Sequence, residues 1–139
     1  MVRTFALVAG LIYLVVGILG FIPGLVTPPE GGHELAIEAG HGRLFGLFPI
    51  NAMHNVVHLA IGLWGLLAYR STSGSVTYAR GLAILYGLLA VLGLIPATNT
   101  LFGLAPIHSN DIWLHAGTAL IAAYFGWMGN PRGRDRAAA

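Results

Sequence analysis

The sequence holds no lysine and no cysteine, and charged residues of all kinds make up only 9% of it. Soluble domains carry roughly a quarter, so this chain lacks the groups that normally cover a water-facing surface. Without cysteine there is no disulfide, no thiolate metal ligand and no cysteine nucleophile. Seven arginines stand against five acids, giving a net charge of +2 without a polybasic block. Nucleic acid is bound through a clustered basic face, so the charge pattern argues against it. At 139 residues the chain suffices for one ordinary domain and falls short of two large ones.

Apolar residues are abundant instead, at 56%. Four apolar runs, residues 4–22, 51–69, 77–95 and 112–128, approach the length needed to cross a hydrocarbon core of about 30 Å. The first follows Arg3 as a signal peptide would. Its run exceeds a usual h-region, however, and no A-x-A-like site follows, so it reads as a retained transmembrane helix. Arginine placement sets orientation. Arg3, Arg70, Arg80, Arg132, Arg134 and Arg136 flank one side, while the 23–50 loop sets Arg43 against Glu30, Glu34 and Glu38. Both termini are therefore expected in the cytoplasm. Trp64, Tyr69, Tyr78, Tyr124 and Trp127 are expected in an inner aromatic belt, with Trp113 at the outer boundary. The expected fold is an all-α, four-transmembrane-helix bundle of the cell membrane. It forms a single domain over residues 1–131, with the lipid bilayer as its surroundings and residues 132–139 as a disordered cytoplasmic tail.

The chain also contains itself twice. "LFGLFPINAMHNVVH" (44–58) aligns without gaps against "LFGLAPIHSNDIWLH" (101–115), and "YLVVGILGFIP" (13–23) resembles "YGLLAVLGLIP" (86–96). The repeat unit is a helix, an outer loop, an LFGLxPI turn and a returning helix, spanning 4–69 and 77–128. The halves differ mainly by an insertion, "TPPEGGHELAIEAGHG", in the first outer loop. Each half crosses out and back, so the two hairpins are parallel repeats, normally related by a pseudo-twofold along the membrane normal. His58 then matches His115, and His54 matches Asp111.

Local signals place the helix starts. Pro49 and Pro106 disfavour helix before them. Asn51 suits an N-cap for the second span, and Ser109 or Asn110 for the fourth. Gly10, Gly17 and Gly20, Gly62 and Gly65, and Ala83 with Gly87 are read as small residues that let membrane helices approach. The same faces allow a homo-oligomer.

Residues four apart on a helix share a face, so His54 points with His58 and Asp111 with His115. The two later histidines lie roughly 10 Å inside their helix starts, a depth at which ionisable residues face a bundle interior or cavity and mark function. Together they offer three imidazoles and a carboxylate, a donor set suited to zinc, copper(II), nickel or non-haem iron. Glu34, Glu38 and His41 would add ligands if "HELAIEAGH" were helical, and His33 and His108 fall on the same outer side. The competing reading is a structural polar network, with Asp111 serving its helix dipole. A further alternative is haem b held by His58 and His115, with Gly62, Gly65 and Gly117 leaving room for the macrocycle. Haem gives no role to His54 and Asp111, which favours a metal ion. A zinc with an open position could activate water, yet no further base, oxyanion donor or groove is evident. No catalytic residue is assigned, and an enzyme is not the expectation. Transport through four short spans would need oligomerisation.

The segment "GRLFGLFPINAMHNVVHLAIGLWGLLA" resembles the signature of a family of small bacterial four-helix membrane proteins classed as a domain of unknown function. Its core is G-L-F-x-x-N-x-x-H-N-x-x-H, matched here by Gly46, Leu47, Phe48, Asn51, His54, Asn55 and His58. The resemblance runs from the first span to the fourth and implies a membrane location and four-span topology. It implies no activity.

Overall fold

Where apolar helix-forming residues give way to "YRSTSG", the chain reverses, and it does so with a purpose-built cap. The Ser71 side chain accepts a hydrogen bond from the Gly74 N–H at 3.0 Å and starts a helix at Thr72, earlier than the apolar run alone predicts. The computed structural model describes residues 1–30 and 34–129. His33 and the expected tail at 132–139 lie outside the described residues. Four α-helices run α1 (Val2–Leu19), α2 (Ala52–Ala68), α3 (Thr72–Leu94) and α4 (Asn110–Ala123), and α4 continues into a π-helical turn at Tyr124–Met128. Two of them, α1 with 18 residues and α3 with 23, are long and apolar enough to cross a membrane by length and composition.

The helices pair as α1 with α2 and α3 with α4, and α3 also touches α1 and α2. The α1–α2 seam is a backbone contact. A Cβ on Gly62 would lie 2.7 Å from the Leu14 amide nitrogen and 2.8 Å from the Gly10 carbonyl oxygen, so only glycine permits this approach. At one end Arg3 Nε donates to the Tyr69 carbonyl at 2.8 Å, tying the start of α1 to the end of α2. Near that end Ala6, Ile61, Ala68, Tyr78, Leu82, Tyr86 and Ala122 form the apolar core. Tyr78, expected in an interfacial belt, is fully buried there; its ring sits edge-on to Trp64 at 4.9 Å between centroids. The π-helical turn has its own support: Arg80 Nε donates to the Gly126 carbonyl at 2.9 Å, and its guanidinium lies 5.3 Å from the Trp127 ring centre.

The opposite end departs from an all-α fold. A small antiparallel sheet, β1 (Val26–Thr27), β2 (Gly42–Leu44) and β3 (Phe48–Ile50), crosses it in the order β1-β2-β3. The insertion in the first loop joins β1 to β2 and supplies Thr27 and Gly42 at their facing ends, which is why the sheet belongs to the first LFGL segment. Both LFGL segments turn through left-handed backbone: Phe45 and Gly46 at φ 53° and 70°, Phe102 and Gly103 at φ 59° and 88°. "HELAIEAGH" is not helical in its described part, Glu34 to His41. Its amides are committed elsewhere: the Ala36 and Ile37 N–H groups donate to the Gly103 carbonyl at 2.9 and 3.3 Å, and the Ala39 carbonyl accepts from Ala52 N–H at 2.7 Å. A nine-residue helix ending in glycine is marginal by itself, and these cross-links outcompete it. The segment becomes a lid over the helix ends, plugged by the buried Leu35.

Candidate metal centre

Asn51 carries the site's local architecture. It is fully buried, and its Oδ1 accepts the His54 N–H at 2.9 Å, capping α2 as the sequence predicts. Its Nδ2 donates to the Ile37 carbonyl at 2.9 Å and the Leu104 carbonyl at 2.8 Å. One amide thus joins the helix start, the lid and the second LFGL loop, and every donor it has is used. The α4 start is built differently. Ser109 occupies the cap position at φ 62° and makes no capping bond; its hydroxyl instead accepts from Arg43 Nη2 at 3.4 Å, while Asn110 Nδ2 donates to the Leu47 carbonyl at 3.2 Å. The expected cap at Ser109 or Asn110 is therefore replaced by ties from the first LFGL hairpin. Arg43 also pairs with Glu30.

These anchors set His54 and Asp111 face to face. His54 Nε2 lies 3.8 Å from Asp111 Oδ2, both side chains being almost wholly buried. His115, one turn further along α4, completes a group: one ligand atom from each of His54, Asp111 and His115 lies within 4.8 Å of the other two. His58 lies one turn from His54, its ring tilted against it with 4.5 Å between centroids, and is itself buried. The i, i+4 pairing expected on each helix therefore brings the four residues into one cluster, with His58 at its edge. The Nδ1 atoms of His58 and His115 and Oδ2 of Asp111 have no hydrogen-bond partner among the described residues, while the His54 ring also meets the backbone of Pro49 and Pro106. Buried polar atoms are ordinarily paired.

The remaining ligand candidates stand apart. Glu34 and Glu38 are exposed on the lid, and His41 is half-buried near Glu30, Arg43 and His108 at the rim. The helix that would have aligned them does not form. Of the glycines read as room for haem, Gly62 and Gly65 face the α1 backbone, with a Cβ on Gly65 only 2.7 Å from Gly10 Cα, while Gly117 has nothing within 4 Å.

Two tyrosines complete the site, and neither is among the expected ligands. Tyr86 of α3 lies 5.0 Å from the His115 ring and Tyr13 of α1 lies 5.5 Å from His58, with the tyrosines stacked on each other at 5.6 Å. They border a cavity of about 320 Å³ whose inner wall holds His54, His58, Asp111 and His115. Its remaining wall is apolar except for Thr118, and it opens between α1 and α4, two helices with almost no direct backbone approach. Phe5 and Phe125, stacked at 4.7 Å, bring the chain together again at the far end.

A family model, the domain of unknown function DUF4383, matches residues 3–128, and the chain belongs to that family. No curated protein and no solved structure matches the chain.

Proposed function

We propose that this DUF4383 protein is a multi-pass membrane protein that binds one transition-metal ion through His54, Asp111 and His115, with His58 as a fourth ligand. The observation that carries the reading is the convergence of two imidazoles and a carboxylate within 4.8 Å in a buried pocket. Zinc–ligand bonds near 2.1 Å give a tetrahedral edge of about 3.4 Å, so the 3.8 Å between His54 and Asp111 needs only a small closure. Oxygen and nitrogen donors without thiolate suit zinc, copper(II), nickel or iron(II); two histidines and one carboxylate with open positions are a known iron(II) arrangement. A cluster that merely locked the bundle would pair its polar atoms with one another. The unpartnered imidazole nitrogens here favour a site that takes a ligand.

The membrane reading rests on an inverted surface. Asn51, His54, Asn55, His58, Ser75, Asp111 and His115 are buried, while Leu11, Val15, Leu63, Leu88 and Leu120 are about half exposed or more. In water this arrangement would waste apolar burial. In lipid it is the economical one. The lidded end, with the metal site below it, is then the outer face, and the Arg3, Arg70 and Arg80 end is cytoplasmic. The alignment pairs that meet in space, Tyr13 with Tyr86 and His54 with Asp111, support two parallel hairpin repeats arranged about a pseudo-twofold.

Elemental analysis of detergent-purified protein tests the reading. Close to one metal ion per chain is expected, falling at least ten-fold in His54→Ala and His115→Ala. Sub-stoichiometric metal that neither substitution changes would overturn it.

A further inference from the structure

The cavity beside the cluster is larger than an ion requires. At about 320 Å³ it lies at the small end of the range for sites that hold organic ligands. Its two ends differ chemically. One end presents His54, His58, Asp111 and His115 with the Tyr13, Tyr86 and Thr118 side chains; the other is lined by Phe5, Val8, Ala9, Leu82 and Ile121. The mouth lies between α1 and α4, and its rim residues Ile12, Leu114 and Ile121 are 55%, 47% and 56% exposed. On the membrane reading these rim side chains touch lipid, so a ligand enters sideways from the acyl layer and not from water.

Charge decides which ligand. A divalent ion held by neutral imidazoles and the Asp111 carboxylate leaves one uncompensated positive charge in a buried site, and such a charge is costly unless paired. An anionic oxygen head completes both the charge and the coordination, and the hydroxyl groups of Tyr13, Tyr86 and Thr118, hydrogen-bonded to one another, line the same cavity. A cavity of about 320 Å³ has room for one hydrocarbon chain and not for two. We infer that the cavity binds a single-chain fatty acid from the bilayer, its carboxylate on the metal ion and its chain in the cleft between α1 and α4. This inference rests on the proposed metal site.

Native mass spectrometry of protein released from phosphatidylcholine nanodiscs, with dodecanoate added as the probe, reads metal and fatty acid in one spectrum. The expected result is one metal adduct per chain, with one dodecanoate on the metal-bearing species and at least ten-fold less on chelated protein. Ala9→Trp fills the apolar end, and Ile12→Trp narrows the mouth from a half-exposed position that tolerates bulk. Each should keep the metal adduct and lose dodecanoate at least ten-fold. A metal adduct without dodecanoate overturns this inference and leaves the metal site standing. So does equal dodecanoate on metal-free protein or on both tryptophan variants. Absence of the metal adduct overturns the metal site and this inference with it. A neutral quinone retained in place of dodecanoate also overturns the inference, since it would deny the charge argument.

Discussion

Asp111 Oδ2 stands 3.8 Å from His54 Nε2, out of solvent, and joins α4 to α2, helices with little direct backbone contact. Removing one partner leaves the other buried and unsatisfied, at about 1–3 kcal/mol, whereas making both apolar is often nearly neutral. Asp111→Asn and His54→Ala are thus expected to lower both metal content and thermal stability. The double substitution His54→Leu with Asp111→Leu should recover much of the stability while binding no metal. Calorimetry alongside elemental analysis separates these quantities, and a double variant that still retains metal would exclude the pair as ligands.

Metal removal carries its own signature. A ligand that binds only the folded state stabilises it by about 2.7 kcal/mol at a free concentration one hundred times its Kd. Chelator should therefore lower the Tm of the parent protein and leave that of His115→Ala unchanged. Equal shifts in both proteins would locate the chelator's effect elsewhere.

Asn51 is the most connected polar side chain in the site. Asn51→Ala removes a helix cap, worth about 1 kcal/mol, and strands two carbonyls at about 1–3 kcal/mol for each one left unsatisfied. Asn51→Ser keeps the cap acceptor but not the two amide donors, so it should fall between the parent and the alanine variant. Unfolding followed by circular dichroism in detergent orders the three, and an alanine variant as stable as the parent would deny that the lid is tied here.

The α1–α2 seam predicts a contrast between glycines. Gly62→Ala places a methyl group 2.7 Å from the Leu14 nitrogen and must push the helices apart, whereas Gly117→Ala enters open space and gains helix propensity of about 0.5–1 kcal/mol. Thermal melts should show loss for the first and no loss for the second.

Because the chain has no cysteine, single introduced cysteines report sidedness without background. In intact cells an impermeant maleimide should label Glu34→Cys on the lid and leave Thr72→Cys unlabelled until the membrane is opened. The reverse pattern would invert the proposed orientation.

Much of the site was legible in the sequence because a repeat doubles each clue. His54 alone is an ordinary oddity, but its alignment with Asp111 predicts that two helices contribute facing polar side chains, and these two stand face to face. The tyrosines carried the same signal, since Tyr13 and Tyr86 open the two matched segments, yet aromatic residues in an apolar run read as packing. What could not be read was the insertion. Its carboxylates suggested ligands on a helix face, but the hydrogen bonds that unmake that helix come from Gly103 and Ala52, distant in sequence. Ser109 failed as a cap for a similar reason: Arg43, 66 residues away, claims its hydroxyl.

The cleft between α1 and α4 lies between the first and the last of the four described helices, which have almost no direct backbone approach. Widening it breaks no sheet and leaves the glycine seam and the Asn51 tie in place, but must part the Phe5–Phe125 stack and the Tyr13–Thr118 hydrogen bond. The four helices therefore form a ring whose last side is held by side chains and not by backbone packing. On the membrane reading, passage between lipid and cavity asks only that these side chains part and the first and last helices lean.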